Sequence, residues 1–397
     1  MDTLKRQYLR LLKHTSTEYV RDLYNQISWN ARLVGIKGAR GVGKTTMMLQ
    51  RIKLEFPDTS KALYVSLDDI WFASHTLLDL GEQAEAAGIT NLFIDEVHRL
   101  PGWERQIKNL YDFFPGIKVA FTGSSLLEID HSIADLSRRC LMYNLRGLSF
   151  REYLEFNGMS FAPMTLSDVL YEHERIAPGI NGQVEHLLNK FHKYLTYGFY
   201  PFYTTETEAD YLTRVNNMVA SVIDYDIPAV EGVEYATLIK AKHLLSIIAS
   251  QSPSPLNAKQ TAGMLGVTVN QLIKILSLLE RSQILRLLYY KNERSPKSMA
   301  KPQKVIFDNP SIISALGYAD KGKVRETFLA SMMSDGHEIA YPKDGDLLVD
   351  NRYLFEVGGA KKGFTQIKDI PDSFVAADDV ELGFGNKIPL WLFGFLY

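Results

Sequence analysis

The sequence predicts an α/β fold built on a parallel sheet and followed by smaller helical and α+β parts, and three observations carry that reading. Apolar runs of strand length alternate with amphipathic helical runs as far as residue 150, the rhythm of a parallel sheet with helices on both faces. The stretch "GARGVGKTT" at 38–46 lies directly behind the apolar run "RLVGI". A later run, "NLFIDEVH" at 91–98, ends in paired acids.

With 397 residues, 46% of them hydrophobic, the chain has room for two or three domains with their own cores. Its formal net charge of −2 supplies no global basic field, so any contact with nucleic acid has to come from a local patch. A single cysteine, Cys140, excludes an internal disulfide and a cysteine-based zinc cage. The start "MDTLKRQYLRLL" has no apolar signal core, and no run approaches the roughly eighteen apolar residues of a membrane span. A cytoplasmic protein without membrane contact is therefore expected. The nine histidines show no ligand spacing, so no dedicated protein metal site is expected.

"RLVGI" is the first strand. The pattern G-x-x-x-x-G-K-[ST] behind it falls on Gly38, Gly43, Lys44 and Thr45. Glycines there let backbone N–H groups turn inward around a β-phosphate, the lysine reaches the β- and γ-phosphates, and the threonine hydroxyl serves Mg²⁺. Gly41 and Thr46 complete this ATP-binding loop (Walker A), and Arg40 within it is a further candidate phosphate contact. The amphipathic run "KTTMMLQRIKLEF" is the helix that opens on it, adding its dipole. "KALYVSLDD" at 61–69 reads as a second strand and "NLFIDEVH" as a third, whose Asp95 would serve Mg²⁺ and whose Glu96 would activate water (Walker B). The bland alternative for such an acid pair is a helix cap. "GIKVAFTGSS" at 116–125 is the fourth strand, where Thr122 or Ser124 would sense the γ-phosphate or simply form a turn. "CLMYNLRGL" closes the sheet.

These segments, together with "DLSRRCLMYNLRGLSFREYL", resemble in their order the AAA+ class of P-loop ATPases. More narrowly they resemble prokaryotic ATP-binding proteins in which the ATPase core precedes a poorly characterised C-terminal domain. The resemblance implies an arginine directed at the γ-phosphate, by motif position Arg138 or Arg139, acting on its own subunit or on a neighbour in a homo-oligomer.

Four parts are expected: an ATPase core at 1–155, an aromatic-rich helical lid at 156–235, a winged helix-turn-helix at 236–310 and a last domain at 311–397. In the third, Gly266 marks the turn between two helices and Thr268 caps the second, whose buried stripe is Leu272, Ile275, Leu276 and Leu279. The resembling family has a winged helix in the same place. Asn270, Gln271, Lys274 and Arg281 on that helix, with Lys291, Arg294, Lys297, Lys301 and Lys304 around a hairpin tip, would touch duplex DNA; the other reading is a brace between domains. The last domain is similar in layout to the restriction-endonuclease-like fold. Asp346 and Glu356 fit that fold's Mg²⁺ acids, but Gly358 stands where its lysine belongs. Glu326, Asp346, Glu356 and Lys361 are the residues that decide between a nuclease and an inactive scaffold. The function expected of the whole is ATP hydrolysis with Mg²⁺, its nucleotide state relayed to the C-terminal parts and to an unknown protein client, the rival being a nucleotide-gated DNA-binding regulator.

Overall fold

A computed structural model describes residues 1–123, 136, 138–229, 233–251, 254–290, 301–318 and 320–397. Its contacts divide the chain into two compact units, Met1–Gly147 and Leu148–Tyr397.

In the first unit, strands β1 (Leu33–Lys37), β2 (Ala62–Ser66), β3 (Asn91–Asp95), β4 (Lys118–Gly123) and β5 (Leu141–Asn144) form one sheet in the order β2-β3-β4-β1-β5. Every pairing is parallel. Strands β1 to β4 are buried along nearly their whole length, as runs covered on both faces must be, whereas the edge strand β5 is partly open. Helix α1 (Asp2–His14) buries Leu4, Tyr8 and Leu12 at helical spacing and packs on the other edge strand, β2. Helix α2 (Lys44–Glu55) follows the glycine loop, α3 (Leu77–Ala86) starts on a Thr76–Asp79 capping box, and α4 (Trp103–Phe113) buries Trp103, Ile107 and Leu110. The five expected strands are thus all present.

One buried side chain ties the glycine loop to the sheet's closing segment. Arg21 is 6% exposed and donates to the carbonyl oxygens of Val42 at 3.0 Å, Arg146 at 2.9 Å and Gly147 at 2.9 Å. A planar guanidinium can serve several fixed acceptors at once, which an ammonium on a flexible stem does less well.

The second unit begins with helices, including Leu187–Thr196 and Glu208–Ser221. The tyrosines on and between these two helices are core residues: Tyr194, Tyr200 and Tyr211 are fully buried, with Tyr200 bonded to Asn309 and Tyr211 to Ser311. Three helices follow, Tyr235–Ser250, Ala258–Leu265 and Val269–Arg281, and then an antiparallel pair, Leu285–Leu288 with Lys304–Phe307. Gly266 ends the middle helix at φ 61°, and Thr268 and Gln271 form a reciprocal capping box on the next. Last comes a five-stranded mixed sheet whose central strand, Tyr353–Gly358, pairs antiparallel with Leu347–Val349 and parallel with Ser373–Ala377. The helix Lys321–Met333 packs on that strand and buries every residue from Thr327 to Met333. No single helix among the described residues is long and apolar enough to cross a membrane.

Replacing Arg21 by methionine keeps its apolar stem and leaves its buried carbonyl partners without their donor. We expect the first unit to lose about 2–4 kcal/mol, read as a lower denaturant midpoint at unchanged slope; an unchanged midpoint would show that Arg21 ties nothing.

Candidate functional site

The glycine loop fits because two positions accept no other residue. A Cβ on Gly38 would lie 2.1 Å from the carbonyl oxygen of Leu145, and Gly43 takes φ 100° as it leads into α2. Lys44, 6% exposed, donates from its ammonium to the carbonyls of Gly38 at 2.7 Å and Ala39 at 2.8 Å. Gly41 and Thr46 are exposed on the loop, and Arg40 is half-buried. The Thr45 hydroxyl donates to Asp95 Oδ2 at 2.5 Å, which brings together the two side chains assigned to Mg²⁺.

Asp95, at the buried end of β3, is a meeting point. Besides Thr45, Tyr64 on β2 donates its phenol proton to Oδ2 at 2.8 Å, Thr122 on β4 donates to Oδ1, and the Glu96 amide donates to Oδ1 at 3.1 Å. Burial, then the neighbouring Asp95 carboxylate, holds the Tyr64 phenol far above its ordinary range, so it stays a donor. Thr122 therefore spends its hydroxyl on Asp95; Ser124 lies outside the described residues. The oxygen-only set of Thr45 and Asp95 suits a hard divalent ion, and the residues present fit Mg²⁺.

Glu96 is held at φ 54°, ψ 44°, the left-handed region that a non-glycine residue enters at a cost. His98 follows in the turn Val97–Arg99, its side chain 4% exposed and its Nε2 3.3 Å from Glu96 Oε2. Burial, then the positive charges of Arg99, Arg40 and Lys44, lowers the His98 pKa to about 3.

The arginines lie elsewhere. Helix α4 ends at the edge of the sheet where β4 begins, and Arg139, two residues ahead of β5, pairs there with Asp112 in the last turn of α4, Nε to Oδ1 at 3.2 Å. Arg138 is exposed beside it. In a parallel sheet this amino edge is a strand's length, roughly 15 Å, from the carboxyl edge that carries the glycine loop. The structure does not bring Arg138 or Arg139 to Lys44 of the same chain.

Sequence reasoning missed Arg21, Tyr64 and His98. For Tyr64 the signal was a hydroxyl-bearing side chain in an otherwise apolar strand; for His98 it was its place directly behind the paired acids.

In the second unit, Asp346 stands directly ahead of the strand Leu347–Val349, beside Glu356 on the neighbouring strand, with Asp346 Oδ2 accepting from the Val357 amide at 2.8 Å. The ammonium that reaches Glu356 is that of Lys362, not Lys361, which is exposed. A Cβ on Gly358 would lie 2.7 Å from the Lys362 stem, so Lys362 fills the space a side chain at 358 would take. With its amide turned so that the nitrogen faces the acid, Gln366 would donate to Glu356 as well. Lys304, expected at an exposed hairpin tip, is instead buried, 2.6 Å from Glu326 Oε2 and 3.8 Å from Asp346 Oδ1. Lysine ammonium groups thus already sit against all three carboxylates, and the arrangement does not fit a Mg²⁺ site. Of the other expected DNA-contacting residues, Lys291, Arg294 and Lys297 lie outside the described residues. Asn270, Lys274 and Lys301 are exposed, and Gln271 is committed to its cap.

Burial pushes the Glu326 carboxyl up to about 7, with Asp346 adding to the rise and Lys304 opposing it. A carboxyl raised on folding favours the fold in its neutral form, so this contribution is full below pH 4.5 and is lost as pH rises through 7. Glu326→Gln removes the titration. Relative to wild type, the variant should gain stability between pH 4.5 and 7, by at most about 3 kcal/mol; a difference flat with pH would contradict it. Tyr64→Phe should weaken magnesium-dependent nucleotide binding about 3- to 10-fold and leave binding without magnesium nearly unchanged, as calorimetry would show.

Comparison with known proteins gives two family matches. Residues 30–154 match a family described as an AAA domain, and residues 188–322 match a domain of unknown function (DUF8612). The uncharacterized protein MJ1544 of Methanocaldococcus jannaschii is 30% identical over 130 residues, which are 32% of this chain and 29% of that protein. Solved structures that align include AMPPCP-bound DnaA from Aquifex aeolicus, with 13% identity and a TM-score of 0.28, covering 70% of this chain and 88% of that one. The Hsp104–ADP complex of S. cerevisiae aligns with 17% identity and a TM-score of 0.29, covering 70% and 38%. PCH-2 of C. elegans aligns with 16% identity and a TM-score of 0.26, covering 70% and 65%. Alignments this loose add nothing to the site. The sheet order, the glycine loop and the family match agree that residues 30–154 are an AAA-type domain.

Proposed function

We propose that the chain binds ATP with Mg²⁺ and hydrolyses it in the first unit, and that the nucleotide state governs what the second unit does toward a protein client. The observation that carries this reading is the Thr45–Asp95 hydrogen bond beside the buried Lys44 ammonium. It gathers at one sheet edge groups of the kind that would hold a triphosphate and its magnesium.

In this reading the loop N–H groups from Gly38 to Lys44 cradle the phosphates, and Lys44 exchanges its two loop carbonyls for phosphate oxygens. Thr45 and Asp95 would hold Mg²⁺, which when bound neutralises charge on the phosphate oxygens. Glu96 holds the attacking water through its carboxylate and takes its proton. Arg138 or Arg139 would meet a γ-phosphate only from a neighbouring copy, because in its own chain the pair stands at the opposite sheet edge. The helices Tyr235–Arg281 with their hairpin read as a winged helix, and the last sheet as an inactive restriction-endonuclease-like scaffold.

Lys44→Ala should abolish ATP binding by calorimetry and phosphate release alike; full turnover by that variant would rule the site out. If the arginine acts between copies, turnover per wild-type chain should rise at least about tenfold with protein concentration across the range where oligomers form, and replacing both Arg138 and Arg139 by alanine should remove the rise. Turnover independent of concentration would exclude the shared arginine.

A further inference from the structure

We propose that His98 is a positioning residue that aims the Glu96 carboxylate at the attacking water. This rests on the reading of Glu96 as the water-activating group. The His98 ring is nearly excluded from solvent, yet neither of its nitrogens has a hydrogen-bond partner among the described residues. Its Nε2 stands 3.3 Å from Glu96 Oε2, within reach but out of line for a hydrogen bond. A buried ring with both nitrogens unsatisfied is a costly arrangement that calls for an explanation, and a catalytic role is one. A slight turn of one partner satisfies Nε2 and removes that part of the cost. The turn falls to the Glu96 side chain, 22% exposed against 4% for His98, while its backbone is held at the left-handed junction between β3 and the short turn that carries His98.

The ring also lies close enough to Arg40 and Lys44 to feel their charge, which places it toward the phosphate loop. Kept neutral in this cationic surrounding, the imidazole can donate Nε2–H to the carboxylate. Its effect on Glu96 is then mainly orientation, since an imidazolium at that distance would weaken Glu96 as a base. Triphosphate arriving against Arg40 and Lys44 would turn Glu96 into line with His98.

The test compares wild type with His98→Ala, His98→Asn and His98→Gln in the full chain, measuring ATP affinity by calorimetry and turnover by phosphate release with magnesium. A glutamine amide nitrogen reaches the place of Nε2, whereas an asparagine amide nitrogen matches Nδ1. Expected is ATP affinity within about threefold of wild type throughout, with kcat lowered about 30- to 100-fold in the alanine and asparagine variants and restored to within about fivefold of wild type by glutamine. Undiminished kcat in the alanine and asparagine variants, or a glutamine variant as slow as asparagine, would overturn the assignment. If the alanine variant does not melt cooperatively, the asparagine–glutamine pair decides alone. Wild type that binds no ATP would sink the hydrolysis reading itself, and turnover that survives Glu96→Gln would remove Glu96 from its role whatever His98 does.

Discussion

The first unit depends on one carboxylate. Asp95 ends β3 in a buried position, and the hydroxyls that satisfy it come from Tyr64 on β2, Thr122 on β4 and Thr45 on α2. A buried carboxylate left short of donors would be expensive, so its position obliges the two neighbouring strands and the phosphate-loop helix to present hydroxyls to one point. The same bonds fix where Thr45 stands relative to the loop. Sheet register and binding geometry are therefore one constraint.

Much of this architecture was legible in the sequence, for identifiable reasons. Buried parallel strands are short apolar runs, so β1 to β4 could be found by composition and the partly open β5 by its place after them, and Gly38, Gly43, Gly266 and the Thr268 cap are positions where local backbone chemistry leaves few choices. What escaped were partners far apart in the chain. Arg21 meets Arg146 across 125 residues and Tyr64 meets Asp95 across 31, and no local pattern encodes either contact. Arg139 is a different case. Its motif position suggested a γ-phosphate of its own chain or of a neighbour, and the direction of β5 puts it at the amino edge, where Asp112 of its own chain takes it.

Residues 311–397 show how acids of a type suited to a metal can instead be held by the chain's own cations. Asp346 and Glu356 are neighbours as their spacing suggested, and a lysine does compensate for Gly358. Yet Lys304 arrives from a strand of the hairpin at 304–307 and sits against Glu326 and Asp346. A carboxylate cluster attracts whatever cation the fold can supply, and an ammonium held on a strand is always present, whereas a dissolved ion has to compete with it. Ion pairs as buried as these are costly to form and costlier to break on one side, so they favour a fixed scaffold.

The two units thus treat buried charge in opposite ways. In the first, Lys44 and Thr45 bind to loop carbonyls and to Asp95, interactions of a kind that phosphate oxygens and a magnesium ion can replace nearly one for one. Exchange of that sort lets a ligand enter without leaving a buried group unsatisfied, and the difference between the two bonded states is then small enough for nucleotide to tip. In the second, Lys304 and Lys362 are paired to carboxylates that no incoming anion would replace, so the arrangement has one good state. A polar network whose bonds can be exchanged suits a place where a ligand enters, and one with a single good state suits a fixed scaffold.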